Sequence, residues 1–180
     1  MKVTAYPLPK AWVGPKGRTR LRGRLSLHRE KLDAHFMRLA LEEAKRAGEA
    51  GEVPVGCVVV RRGQVVYRCH NLVEREGNAL RHAELIALEA MSRRYGRRLM
   101  EFTLYVNLEP CLMCAGAMVN ARLGRVVFAA WDPQKGACGS GLNAFSLPGS
   151  LWHVKSTGGI RGREAKDLLQ GFFQKRRRDR

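Results

Sequence analysis

The chain has 180 residues, 45% hydrophobic and 27% charged, with a formal net charge of +17. That length suits one domain with a full hydrophobic core. No apolar run approaches the roughly 18–20 residues of a membrane span, and the N-terminus lacks the apolar stretch of a secretory signal. The five cysteines (Cys57, Cys69, Cys111, Cys114, Cys138) are an odd set without the density of a disulfide scaffold. A cytoplasmic protein without a membrane partner is therefore expected.

The charge sits at the ends. Residues 1–29 carry eight basic side chains and no acidic one, and residues 171–180 carry five basic side chains against Asp179. The remaining 20 basic and 15 acidic residues leave the body nearly balanced. Two basic ends suit a polyanion such as nucleic acid. The bland alternative is a pair of solubilising tails rich in Arg through genome bias.

Residues 1–30, with Pro, Gly and alternating Arg in "GRTRLRGRLSL", read as a flexible basic extension. A transit peptide would also be Arg-rich and free of acids, but the single serine (Ser26) and the lack of a clean amphipathic helix speak against one. A mis-assigned start codon would account for the segment equally well. From Lys31 the spacing of Phe36, Leu39, Ala40 and Ala44 predicts an amphipathic helix closed by Gly48 and Gly51. "VPVGCVVV" (53–60) and "QVVYRCH" (64–70), separated by Arg-Arg-Gly, predict a β-hairpin. After the loop "NLVEREGNALR" come a helix over 82–94, a strand over 103–108, a helix over 111–122 and a strand over 125–130. The Gly-rich stretch from Asp132 to Ser150 reads as a long loop, the length at which loops tend to be functional. A fifth strand over 151–156 and a helix over 161–178 complete the chain. This order predicts an α/β fold, a three-layer α/β/α sandwich on a mixed five-stranded sheet, within residues 31–180.

Cys111 and Cys114 form a C-x-x-C pair at a predicted helix start. Such a pair can be a redox switch, half of a structural zinc site or part of a catalytic one. A catalytic zinc needs three protein ligands and an open position. "RHAEL" offers His82 as the third ligand, and Glu84 two residues on as a carboxylate that can move protons beside the metal. Helix N-termini favour thiolates, and two thiolates cancel the charge of Zn²⁺. The neighbours Pro110 and Leu112-Met113 do not match a redox motif. Together "HAE" and "PCLMC" form the H-x-E…P-C-x-x-C signature of zinc deaminases. Cys57, Cys69 and Cys138 read as small, partly buried hydrophobes.

With these motifs in hand, the chain resembles the bacterial tRNA-specific adenosine deaminases from about Asp33 to Arg177. The likeness rests on "EVPVGCVVV", "RHAELIAL", "TLYVNLEPCLMCAGAMVNARLGRVVFAAWDP" and "FFQKRRR". It implies a cytidine deaminase-like fold and one Zn²⁺ per subunit held by His82, Cys111 and Cys114, with Glu84 as proton shuttle. It further implies that Asn71 hydrogen-bonds the flipped nucleoside, that Pro54 and Val55 wall the pocket, and that Asp132 lies near a neighbouring ribose. Sequence alone would make Asn71 and Asp132 turn formers. Phe172 and Phe173 match an aromatic pair of which one ring borders the RNA, while spacing alone would place both in the core. Lys175, Arg176 and Arg177 then read as phosphate contacts. The chain departs from the family pattern in "NALR" before His82, which sets Arg81 beside the ligand either to meet phosphate or to be solvated, and in Asn107, where Thr is usual.

The resemblance implies hydrolytic deamination of the wobble adenosine in the tRNA anticodon loop, in an arginine tRNA, by a homodimer. A single-stranded loop suits such chemistry because little pairing is lost when a base is extruded. One rival is a zinc deaminase of a free base or nucleotide, which has no need of basic ends. Another is an RNA-binding protein with a structural zinc, which has no use for Glu84.

Overall fold

A computed structural model describes the backbone of residues 19–150 and 152–178, and the side chains from Leu27 onward. The expectation for residues 1–18 of the basic arm lies outside the described residues. Helix α1 runs from Thr19 to Glu49 and so starts well before Lys31. Leu and Arg, both good helix formers, dominate 20–25, and no proline follows Pro15 to stop the helix. Its buried stripe of Phe36, Met37, Ala40, Leu41, Ala44 and Ala47 recurs at helical spacing. The helix ends where Glu52 N–H reaches the Ala47 carbonyl at 2.9 Å, with Gly51 left-handed at φ +83°.

Strands β1 (Gly56–Arg61) and β2 (Gln64–His70) form the expected hairpin. Its turn uses Arg62 and Gly63, both at positive φ (51° and 77°), the geometry that follows the natural strand twist. A short helix α2 (Val73–Glu76) lies in the segment expected to be loop. Nothing in its four residues signals a helix. It forms because the buried Glu52 carboxylate accepts from the N–H groups of Glu74 (3.1 Å) and Arg75 (2.7 Å). Helix α3 (Ala83–Tyr95), β3 (Phe102–Leu108), α4 (Leu112–Asn120), β4 (Arg125–Ala130), β5 (Lys155–Thr157) and α5 (Gly162–Arg178) complete the order. The sheet runs β2-β1-β3-β4-β5, with β1 antiparallel to β2 and β3 and with β3, β4 and β5 parallel.

Strand alternation divides two cores. Cys57, Val59, Leu104, Val106, Val126 and Phe128 face α3 and α4, whereas Val58, Val60, Tyr105, Val127 and Ala129 face α1 and α5. Burial on both faces explains why these strands read as continuous β-branched runs. Gly56 lets β1 start directly beneath α1, since a Cβ there would lie 2.3 Å from the Ala40 carbonyl oxygen.

Two strands are shorter than expected, for one reason. At 53–55 the Asn107 amide replaces the ladder, accepting from Gly56 N–H (2.8 Å) and donating to the Pro54 carbonyl (2.9 Å). Before β5, Trp152 Nε1 donates to the Leu123 carbonyl (2.7 Å), and His153 Nδ1 meets the Phe145 carbonyl (2.8 Å). Side chains anchor these segments, so only 155–157 pair with β4. Among the described residues no helix is long and apolar enough to cross a membrane.

Candidate metal centre and substrate cavity

The site lies at the carboxyl ends of the parallel strands β3 and β4, where open α/β sheets place their ligands. His82 is the N-cap of α3 and Cys111 the N-cap of α4, both with extended backbone. Cys114 sits in the first turn of α4 and is fully buried. His82 Nδ1 is 3.7 Å from Cys111 Sγ and 3.5 Å from Cys114 Sγ, and the three donor atoms lie within 4.8 Å of one another. Tetrahedral zinc, with Zn–S of about 2.3 Å and Zn–N of about 2.0 Å, separates nitrogen from sulfur by about 3.5 Å. One nitrogen and two sulfurs at that spacing fit Zn²⁺ and leave a fourth position for water.

The electrostatics favour ligation. The Cys111 thiol is pulled down to about 3, first by the hydrogen bond with Cys114 and then by His82, against the opposing effect of burial. The same contact pushes Cys114 up, so the pair shares a proton that a cation would displace. His82 is raised by its contact with Cys111, which outweighs its partial burial. Glu84 is buried at 4% exposure, and desolvation raises its carboxyl above the usual range. Its own N–H and His82 offset that only in part.

A cavity of about 530 Å³ opens onto these groups. That size falls within the range of small-molecule sites. His82, Glu84 and Cys111 line it together with Val55, Asn71, Asp132 and Phe173. Cys114 lies beneath the wall. Pro54 does not line the cavity: its carbonyl is turned to Asn107. Asn71 is held by its N–H to the Val55 carbonyl (2.9 Å) and by its amide to Glu52 (3.3 Å), which leaves Oδ1 without a partner among the described residues. Phe173 is exposed on the cavity and Phe172 half-buried, their rings edge to face at 5.5 Å. Arg81 pairs with Glu76 (2.6 Å) and Glu89 (3.2 Å).

Sequence reasoning missed Glu109. Its carboxylate is buried at 2% exposure and accepts from the N–H groups of Asp132, Cys138 and Ser140, each at 3.0 Å, and from the Ser140 hydroxyl. Burial alone would raise this acid. The Ser140 hydroxyl and the three N–H groups outweigh it and hold the carboxyl below its usual range. Glu109 thereby folds the 132–140 loop against Cys111. Gly136 is needed there, since a Cβ would lie 2.3 Å from Glu109 Oε2. The acid's place directly before Pro110-Cys111 was the one visible signal. The cavity wall also includes Trp131, Gln134 and Lys135 from the same loop.

Residues 30–130 match the model of the cytidine and deoxycytidylate deaminase zinc-binding region. The chain is 40% identical over 147 residues to the tRNA-specific adenosine deaminase of Bacillus subtilis, covering 81% of this chain and 91% of that one. It is also 40% identical over 144 residues to that of Aquifex aeolicus, covering 79% and 95%. A solved structure from work on A-to-I editing by tRNA:A34 deaminases at the wobble position superposes with a TM-score of 0.72 and 40% identity. It covers 75% of this chain and 99% of that chain. A guanine deaminase from Nitrosomonas europaea shares the fold at a TM-score of 0.65 and 23% identity, covering 76% of this chain and 81% of that one.

Proposed function

Since this chain belongs to the cytidine and deoxycytidylate deaminase family and, within it, to the tRNA-specific adenosine deaminases, we propose that it converts the wobble adenosine of a tRNA anticodon, that of an arginine tRNA, to inosine. The observation that carries this reading is the His82–Cys111–Cys114 triad set against a buried Glu84 in one cavity. Relatives at 40% identity favour adenosine in RNA over a free base, for which the likeness extends only to the fold. The basic last turn of α5 (Lys175, Arg176, Arg177, Arg178) suits the phosphates of the same substrate.

His82, Cys111 and Cys114 would hold one Zn²⁺ per subunit. When bound, the ion supplies a Lewis acid that makes water a nucleophile near neutral pH. Glu84 then does the proton work. It takes a proton from the water whose oxygen bonds to C6 and delivers it to adenine N1. It then takes the second proton from the hydroxyl now on C6 and passes it to the amino group, whose bond to C6 breaks as ammonia leaves. Adenosine and water yield inosine and ammonia. A carboxyl raised by burial suits this work, since it must both accept and donate near neutral pH. Asn71, fixed by Glu52, offers Oδ1 to the base. Val55 and Asp132 line the space for nucleoside and neighbouring ribose, with Phe173 bordering the RNA.

The catalytic domain of this reading spans residues 31–180, with the basic arm 1–30 adding RNA contacts. The enzyme acts in the cytoplasm as a homodimer. The deciding experiment measures inosine in an arginine-tRNA anticodon stem-loop alongside free adenosine, guanine and cytidine, for wild type and Glu84→Ala. Inosine in the stem-loop alone, lost in Glu84→Ala with zinc content unchanged, is the expected result. Turnover of a free base with the stem-loop untouched would overturn it.

A further inference from the structure

Trp131 follows β4 directly and lines the cavity, yet its side chain is 51% exposed. Its ring is not loose. It stands edge to face on the fully buried Phe128, with centroids 4.7 Å apart and planes at 90°. Backbone passes close on two further sides. A Cβ on Gly158 would lie 2.6 Å from Trp131 Cζ2, and one on Gly139 would lie 3.3 Å from Cζ3. Glycine at these positions lets the chain clamp the benzo edge of the indole. The result is a large aromatic ring, fixed in orientation and open to solvent, beside a cavity lined by Glu84 and His82.

A ring that served only to cover Phe128 would gain by burying more of its own surface against the fold. Here the orientation is fixed while half the surface stays in water, an arrangement that leaves stabilisation unused in the free protein. Phe173 is a second exposed ring on the same cavity, at 43%. Lys135 from the same loop adds a cation to the wall. Exposed aromatic rings beside a cation are the surface on which single-stranded nucleic acid stacks its bases.

Resting on the reading of an RNA substrate, we propose that the Trp131 indole is a stacking platform for a nucleobase flanking the adenosine that enters the cavity. Trp131 then binds and orients the substrate strand and takes no part in proton transfer. Stacking on a ring already held in place loses little side-chain freedom on binding.

The test uses an anticodon stem-loop with wild type, Trp131→Phe and Trp131→Leu. In a Trp12→Phe background, which removes the tryptophan of the basic arm, stem-loop binding is expected to quench the tryptophan emission, and adding Trp131→Phe, which keeps Trp152, loses that quenching while still binding. Trp131→Leu keeps apolar bulk without a π face and should bind about ten-fold more weakly. An abasic nucleotide in place of the stacked neighbour should cost wild type the same factor and cost Trp131→Leu nothing further. Quenching that persists in Trp131→Phe, or equal affinities of wild type and Trp131→Leu, would overturn the platform. Should Trp131→Leu fail to fold, the Trp12→Phe comparison with and without Trp131→Phe decides alone. Quenching without inosine would remove the proposed activity and keep the platform; inosine without quenching would do the reverse.

Discussion

The two ends of the central sheet treat buried polar groups in opposite ways. At the amino end of β4, Arg125 donates to Asp33 with both terminal nitrogens (2.8 and 2.7 Å) and to the Thr157 hydroxyl (2.9 Å), while the Tyr105 hydroxyl donates to Asp33 at 2.8 Å. This network ties α1, β3, β4 and β5 together. At the carboxyl end, Glu84 is as buried as Asp33 but is left with a raised carboxyl, and Asn71, which lines the cavity, has no partner for Oδ1 among the described residues. One end holds the layers together. The other keeps reactive groups underserved, in the way functional sites depart from the rules that stabilise a fold.

This contrast predicts that variants at the two ends fail differently. Cys114→Ala should have the largest effect, with deamination falling to background and metal content dropping to near zero by elemental analysis. Arg125→Ala should leave stem-loop deamination in place and lower stability by about 3–5 kcal/mol in urea titrations, because Asp33 loses its buried partner. A stable Arg125→Ala protein, or one that folds well but is inactive, would break the division.

Glu109 belongs to the active end by position and to the scaffold by its bonding. Glu109→Gln turns an amide N–H toward donors that need an acceptor. It should lower kcat/KM by about ten-fold and speed hydrogen exchange across residues 132–140, with zinc retained. The native carboxyl lies below its ordinary value, so its contribution is complete above that value and is lost as pH falls through the depressed one. Acid should therefore loosen this loop in wild type, and Glu109→Gln should remove that pH dependence.

Tyr105→Phe should give the smallest change, about 1 kcal/mol from the lost hydrogen bond to Asp33. Burial first, and then Asp33, raises the Tyr105 hydroxyl above its ordinary value. The neutral form is favoured in the fold, so stability is complete below the unfolded value and falls as pH rises beyond it. Thermal melts should show that alkaline loss in wild type and a weaker one in Tyr105→Phe.

The comparison also marks what was legible in the chain. His82, Glu84, Cys111 and Cys114 could be picked out because the chemistry demands those residue types at short, fixed spacings. The β-branched runs and helical stripes gave both faces of the sheet and all five strands. Helix α2 and the bounds of β1 and β5 could not be read, because they depend on Glu52, Asn107, Trp152 and His153 reaching partners distant in sequence. The folded chain brings Asn71 and Asp132 to one cavity, while Asp132 also forms the turn that its residue type suggested, accepting from the N–H groups of Gln134 (3.0 Å) and Lys135 (3.1 Å).

By itself, then, the sequence determined the alternation that sorts residues to the two faces of the sheet, and the donor set at the helix starts. Both follow from local periodicity and side-chain chemistry. Only the tertiary structure decided what Asp33, Glu52 and Glu109 each do. All three are buried carboxylates, and no local pattern distinguishes them. Their roles come from the donors that distant strands and loops bring within about 3 Å, and from the water that burial takes away.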